Sequence, residues 1–187
     1  METQTLKRCA WCGTDPLYMK YHDEEWGKPV FDDKILFEFM ILEGAQAGLS
    51  WITILRRRDG YRTAFEDFDV KKVAALTADD VERLMLDAGI IRNRLKINST
   101  IKNAQLFIAI QKEYGSFSNF IWGFIPDKKP FVNDFKNGGI PARTDISDAI
   151  AKDMKKRGFK FFGTTICYAF MQATGMVNDH IIGCVAR

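Results

Sequence analysis

Apolar side chains along this chain recur mostly at three- and four-residue spacing, the repeat of helices with one buried face. After Asp32 and Asp33, either a fair N-cap, Ile35, Leu36, Phe39, Met40 and Leu42 follow that spacing and predict a helix ending near Gly44. A second helix is expected from about Ser50, carrying Ile52, Ile54 and Leu55 toward Arg56, Arg57 and Arg58. The stretch TADDVERLMLDAG opens with Thr77 and Asp80 in capping-box positions, places acids in its first turn, and predicts a stop at Gly89. The longest candidate, RNRLKINSTIKNAQLFIAIQKEYG, aligns Ile97, Ile101, Ala104 and Ile108 and reaches Gly115. Further helices are predicted at SFSNFIW, DISDAIAKDMKKRG and TTICYAFMQATG, the last closed by Gly175. The segment from Pro126 to Arg143, rich in Gly, Pro, Asn and Lys, reads as one long loop, and no run alternates with the period of a strand. The expected fold class is all-α, with many short helices.

With 187 residues, 47% hydrophobic and 27% charged, the chain suits one domain, or two small lobes sharing a core. A chain this size buries roughly 70% of its unfolded surface without disulfide staples. No apolar run reaches the roughly 18 residues of a membrane span, and METQTLKR lacks the apolar core of a signal peptide. A cytoplasmic location is therefore expected, with no membrane partner. A net charge of +3 is compatible with a polyanionic partner and does not require one.

Three clusters bear chemistry. Cys9 and His22 near one end, and His180 and Cys184 near the other, use both histidines and two of the four cysteines. Thiolate and imidazole are the donors zinc prefers, and four of them close a tetrahedral site. If the C-terminal pair is helical, its i, i+4 spacing puts both donors on one face. Buried thiols and a satisfied core histidine are the plainer alternative, and Cys9 and Cys12 also form CxxC, so either thiol can be the first ligand. Four protein ligands leave no open position, so such a metal would be structural and would pin the chain's ends together.

The second cluster is aromatic: Trp11, Tyr18, Tyr21, Trp26 and Trp51 flank Glu43 in ILEGAQAGLSW. Rings around one carboxylate can hold a flat, cationic ring by stacking and cation–π attraction, against the alternative of core packing around a solvated acid. The third is GFKFFGTTICYAFMQATG, where a Gly-containing turn enters a helix beside Lys160 and can present backbone N–H groups to a phosphate. Arg56 to Arg58, and Arg92, Arg94 and Lys96, read by default as solvated helix faces.

Taken together, RCAW, DPLYMKYHDEEWG, LEGAQAGLSWITIL, DAGIIRNRLKI, KKRGFKFFGTTICYAFMQATG and NDHIIGC closely resemble the 3-methyladenine DNA glycosylase I family, from Arg8 to Cys184. The resemblance implies a helix-hairpin-helix glycosylase fold in a single domain over residues 1–187. Its helical lobe would span roughly 31–145, with terminal segments 1–30 and 146–187 joined by structural zinc. It implies Cys9, His22, His180 and Cys184 as the ligands, leaving Cys12 spare. Glu43 is implied as the base-recognising and catalytic carboxylate, and Trp11, Tyr18, Tyr21 and Trp51 as the substrate-binding wall. Gly48 and Leu49 would enter the gap left by an extruded nucleotide, while Lys160, Gly163, Thr164 and Thr165 would form the hairpin's DNA contact.

The implied reaction is hydrolysis of the N-glycosidic bond of 3-methyladenine in double-stranded DNA by a monomer. Relatives that also cleave the backbone carry a lysine after the hairpin turn. Here Thr164 and Thr165 occupy that stretch, so no lyase activity is expected, and no role in water attack is given to Asp179. A zinc-stapled nucleic-acid-binding module and a zinc-dependent hydrolase are the competing classes.

Overall fold

The computed structural model describes residues 7–133 and 139–187, so residues 1–6 of the polar start and 134–138 of the expected loop lie outside the described residues. The described chain folds as α1 (Pro16–Glu24), α2 (Asp33–Gln46), α3 (Trp51–Leu55), α4 (Arg58–Ala64), α5 (Val70–Ala74), α6 (Ala78–Leu86), α7 (Arg94–Tyr114), α8 (Phe117–Trp122), α9 (Asp145–Arg157) and α10 (Thr164–Ala173). The mostly helical expectation holds, with one addition. Within the stretch read as a loop, β1 (Phe131–Val132) pairs in parallel with β2 (Val177–Asn178). Two residues per strand are too few to show a period of two.

Helix α2 is the central element. Leu36, Phe37, Phe39, Met40, Ile41 and Leu42 are all buried, so it is apolar nearly all round and packs against α3, α7, α8 and α10. Its first turn is held from two sides. Asp32 caps the Ile35 N–H, while Asp33 accepts from the Phe117 and Ser118 N–H groups that open α8 and from the Gln111 amide of α7. Helix α7 buries Ile97, Ile101, Ala104 and Phe107 against this centre, with Ile108 only half-buried.

Several boundaries differ from expectation for identifiable reasons. Helix α2 runs two residues past Gly44, because that glycine serves contact: a Cβ there would lie 3.2 Å from the Phe161 carbonyl oxygen. Helix α6 stops at Leu86, where Asp87 turns the chain and accepts from the Gly89 N–H at 2.7 Å. Helix α1, absent from the hydrophobic pattern, is set by polar punctuation: Asp15 accepts from the Leu17 and Tyr18 N–H groups, and Pro16 sits at the first helical position. Arg58 is no solvated residue. It is buried between Glu38 and Glu25, at 2.6 Å from each, and lies over the Phe39 ring.

The C-terminal elements join this core. Helices α9 and α10 pack on each other across the turn 158–163, α10 packs on α2, and the segment after α1 crosses the end of α10. That crossing is made by the Gly27 N–H on the Gln172 carbonyl at 2.8 Å and the Val30 N–H on the Thr174 carbonyl at 3.0 Å. Gly175 sits at this crossing with φ +66, and a Cβ there would fall 2.1 Å from the Lys28 carbonyl carbon. Gly175→Ala is therefore expected to cost at least about 2 kcal/mol in denaturant unfolding, from backbone strain plus collision. Gly163→Ala is the control. Its φ of −73 suits any residue and open space surrounds it, so its cost should stay within about 0.5 kcal/mol.

Candidate functional site

Where α1, α2, α3 and α10 meet, a cavity of about 190 Å³ is lined by Trp11, Tyr18, Tyr21, Trp26, Glu43, Gln46, Trp51, Ile140, Ala169 and Gln172. The helical repeat explains the grouping: Glu43 and Gln46 share one face of α2, and Ala169 and Gln172 share one face of α10. Aromatic edges interlock around the space. Trp11 lies 5.0 Å from Tyr18 and 4.8 Å from Trp26, and Tyr21 lies 5.4 Å from Trp51, between ring centroids.

Glu43 is only 3% exposed. Its Oε2 has no hydrogen-bond partner, and the indole N–H groups of Trp11 and Trp51 are likewise unpartnered. Burial pushes the Glu43 carboxyl up from the usual range to about 8. Buried polar atoms are almost always paired, so one acceptor and two donors left open around a single cavity mark a place built for a ligand. Glu43 is also the sole carboxylate among the described lining residues.

The structure brings all five expected pocket residues to this cavity. It adds Trp26, Gln46, Ile140, Ala169 and Gln172. Trp26 already belonged to the aromatic cluster and Gln46 lies one turn from Glu43, whereas nothing local in the sequence points to Ala169 or Gln172.

Behind the aromatic wall, Cys9, His22, His180 and Cys184 converge, all buried, with their ligand atoms within 4.8 Å of one another. Cys184 Sγ lies 3.4 Å from both His22 Nε2 and His180 Nδ1, and Cys9 Sγ lies 3.6 Å from His180 Nδ1. With metal–sulfur bonds near 2.3 Å and metal–nitrogen bonds near 2.0–2.1 Å, tetrahedral donors sit about 3.5 Å apart, so this group can hold a metal ion. The outer ring nitrogens are also engaged: His22 Nδ1 meets Asp23 at 2.7 Å and His180 Nε2 meets the Trp26 carbonyl at 2.9 Å. Such second contacts orient ligating imidazoles. Asp23 is in turn gripped by Arg8 at 2.8–2.9 Å, which holds its carboxyl below the usual range.

Cys12 is outside the group. Its thiol lies against the Cys9 carbonyl at 3.2 Å, so Cys9 is the N-terminal sulfur. His180 and Cys184 flank a turn at 182–183 rather than lying in a helix, and the pair converges because the Cys184 N–H bonds the Ile181 carbonyl. Asp179 is fully buried and saturated by Tyr168, Gln172 and Asn133, and it does not line the cavity.

Gly48 and Leu49 form an exposed turn directly after α2, with Gly48 at φ +81 and Leu49 40% exposed. The α9–α10 turn also meets this part of α2, with Phe161 against Gly44. Lys160 is exposed there, its backbone N–H and carbonyl both held at 2.9 Å by the buried amide of Asn103. Gly163 caps α10 without a side chain, Thr165 is exposed, and the Thr164 hydroxyl is bonded to Ser147 and Asp148.

Comparison with known proteins agrees with this arrangement. The chain is 52% identical to DNA-3-methyladenine glycosylase 1 of Escherichia coli (strain K12), over 96% of each chain. It is 50% identical to DNA-3-methyladenine glycosylase of Haemophilus influenzae (strain ATCC 51907 / DSM 11121 / KW20 / Rd), covering 96% of this chain and 97% of the relative. Among solved structures, 3-methyladenine DNA glycosylase I from Staphylococcus aureus, studied for its recognition of 3-methyladenine, superposes with a TM-score of 0.93 at 37% identity, over 97% of this chain and 96% of that one. Residues 11–187 match the family described as Methyladenine glycosylase, and the chain belongs to that family.

Proposed function

We propose that the chain removes 3-methyladenine from alkylated double-stranded DNA by hydrolysing its N-glycosidic bond, with Glu43 as the recognising and catalytic carboxylate. The observation that carries this reading is the buried, unpartnered Glu43 oxygen among aromatic rings. Adenine presents an amino donor and a ring-nitrogen acceptor along one edge, which complements one carboxylate acceptor beside two indole donors. Methylation at N3 makes the base cationic while it is joined to the sugar. An incoming cation stabilises the ionised form of Glu43 and gains attraction from the ring faces, whereas neutral adenine offsets far less of the cost of a buried carboxylate.

The same cation leaves as a neutral base, so little acid catalysis is required, and ionised Glu43 stabilises charge developing on the sugar as the bond breaks. No lysine lines the described cavity, and Thr164 and Thr165 follow the turn, which supports hydrolysis without backbone cleavage. The α9–turn–α10 unit is read as the helix-hairpin-helix. Lys160, Gly163, Thr164 and Thr165 contact the sugar–phosphate backbone, and Leu49 enters the gap left when the nucleotide is extruded. Zinc is the ion that two thiolates and two imidazoles at these separations fit, with a structural role because all four positions are taken by protein.

Glu43→Gln is expected to lower release of 3-methyladenine from methylated duplex DNA at least about 100-fold, measured by chromatography of the freed bases. Unchanged release would remove Glu43 from the reaction. A carboxylate that accepts from the base must lose its proton on binding. Affinity for free 3-methyladenine, followed by tryptophan fluorescence, should therefore tighten as pH rises toward about 8 and level off above it. The Glu43→Gln variant should lose that component, and an identical pH profile in both proteins contradicts the assignment.

For the metal, Cys184→Ser should release zinc and lower Tm by about 10 °C or more, equivalent to roughly 3–5 kcal/mol in a chain this size. Cys12→Ser should retain one zinc per chain. Full zinc retention by Cys184→Ser in elemental analysis would overturn the ligand set.

A further inference from the structure

The end of α2 carries both halves of the proposed chemistry: Glu43 and Gln46 face the cavity, and Gly48 and Leu49 follow directly. A helix C-terminus leaves carbonyl groups without intrahelical partners, and here four of them, from Gly44 to Ala47, are matched to donors. The Gly44 carbonyl receives the Ala47 N–H at 3.4 Å, and the Gln46 carbonyl receives the Leu49 N–H at 2.6 Å. The remaining two, on Ala45 and Ala47, both receive the ammonium of Lys96, at 2.7 and 2.8 Å. Lys96 reaches them from the first turn of α7, far off in sequence, and none of the described ion pairs includes it.

We infer that Lys96 is a positioning residue for DNA engagement, an ammonium clamp that fixes the turn carrying Leu49 relative to Glu43. Two carbonyls that diverge on either side of Gln46 are tied to one point, so the chain must leave the helix in one direction. A positive charge at the helix C-terminus also opposes the negative end of its dipole. Beyond the Leu49 N–H on the Gln46 carbonyl, the turn itself is open. Gly48 is at positive φ with open space around it, and Leu49 is exposed. Without the clamp, two carbonyls turn to water and Leu49 samples many directions, so each encounter with DNA must reorder it. The cavity is held separately by the aromatic rings and the rest of α2, so capture of a free base does not need the clamp.

This inference rests on the proposed insertion of Leu49, and a double-mutant cycle tests both. Lys96→Met keeps the apolar stem and removes the charge and the donors. With a duplex containing a tetrahydrofuran abasic-site analogue, it should weaken binding at least about tenfold, the scale of charge-assisted hydrogen bonds. Affinity for free 3-methyladenine should stay within about twofold. In a Leu49→Ala background the same substitution should cost almost nothing further, because there is no longer a side chain to aim. An undiminished loss in that background would show a direct phosphate contact and overturn the inference. Parallel losses of free-base and DNA affinity would show general disruption and overturn it too. If Leu49→Ala weakens binding and Lys96→Met does not, only the clamp falls. If Leu49→Ala is itself neutral, the insertion reading falls and takes the clamp with it.

Discussion

A carboxyl group that is 3% exposed and has one oxygen without a partner resists ionising, and only an incoming donor or cation relieves that resistance. The surrounding structure keeps Glu43 in this condition. Water would relieve it as well as any ligand, so rings must close the sides. A neighbouring cation would relieve it permanently, yet burial alone sets the Glu43 carboxyl among the described residues, and cations that contact the same helix are engaged elsewhere. Arg58 and Arg62 serve Glu38 on another face of α2, and Lys96 serves the carbonyls at the end of the same helix. In the proposed reaction, selectivity for a cationic base arises from what the pocket withholds as much as from what it offers.

Rings alone make a soft wall, and the buried Cys/His group explains how this one is stiffened. Trp11 packs on His22 at 5.2 Å, Trp26 packs on His180 at 4.6 Å, and the two imidazoles meet edge-on at 4.6 Å. The Trp26 carbonyl also receives the outer nitrogen of His180. A metal ion held by this group would fix the imidazoles, and the imidazoles would fix the indoles. In the proposed reading the metal would thus act on recognition through packing while remaining outside the reaction.

Elements whose signals are local were readable in the sequence. The caps of α2 and α6, the long face of α7 and the Gly115 stop depend on neighbours within a turn, and so did the density of aromatic residues around Glu43. What escaped the reading depends on contacts between distant segments. Gly44 looked like a helix stop because its real constraint, the Phe161 backbone, lies far along the chain. Arg58 and Lys96 looked solvated because charge runs give no sign of a partner, and their partners are Glu38, Glu25 and two carbonyl oxygens. Ala169 and Gln172 join the cavity only because α10 packs on α2. Both histidines are marked as candidate donors by the composition alone, with two histidines and four cysteines in the chain, whereas the choice of Cys9 over Cys12 comes from the family resemblance and the contacts.

The distribution of charge follows from the same constraint. A net charge of +3 is small for a protein proposed to engage a polyanion, and many arginines are paired within the chain: Arg8 on Asp23, Arg58 on Glu38 and Glu25, Arg94 on Glu82, and Arg157 on Glu113 and Asp153. These pairs stiffen the scaffold and leave little excess field to hold undamaged duplex. A broad basic surface would bind every phosphate run tightly and slow the search for rare lesions, since non-specific affinity comes from that electrostatic contribution. With so many cations paired to carboxylates, the proposed reaction leaves discrimination to steps that require a distorted duplex: entry of Leu49, extrusion of the nucleotide, and ionisation of Glu43 beside a cationic ring.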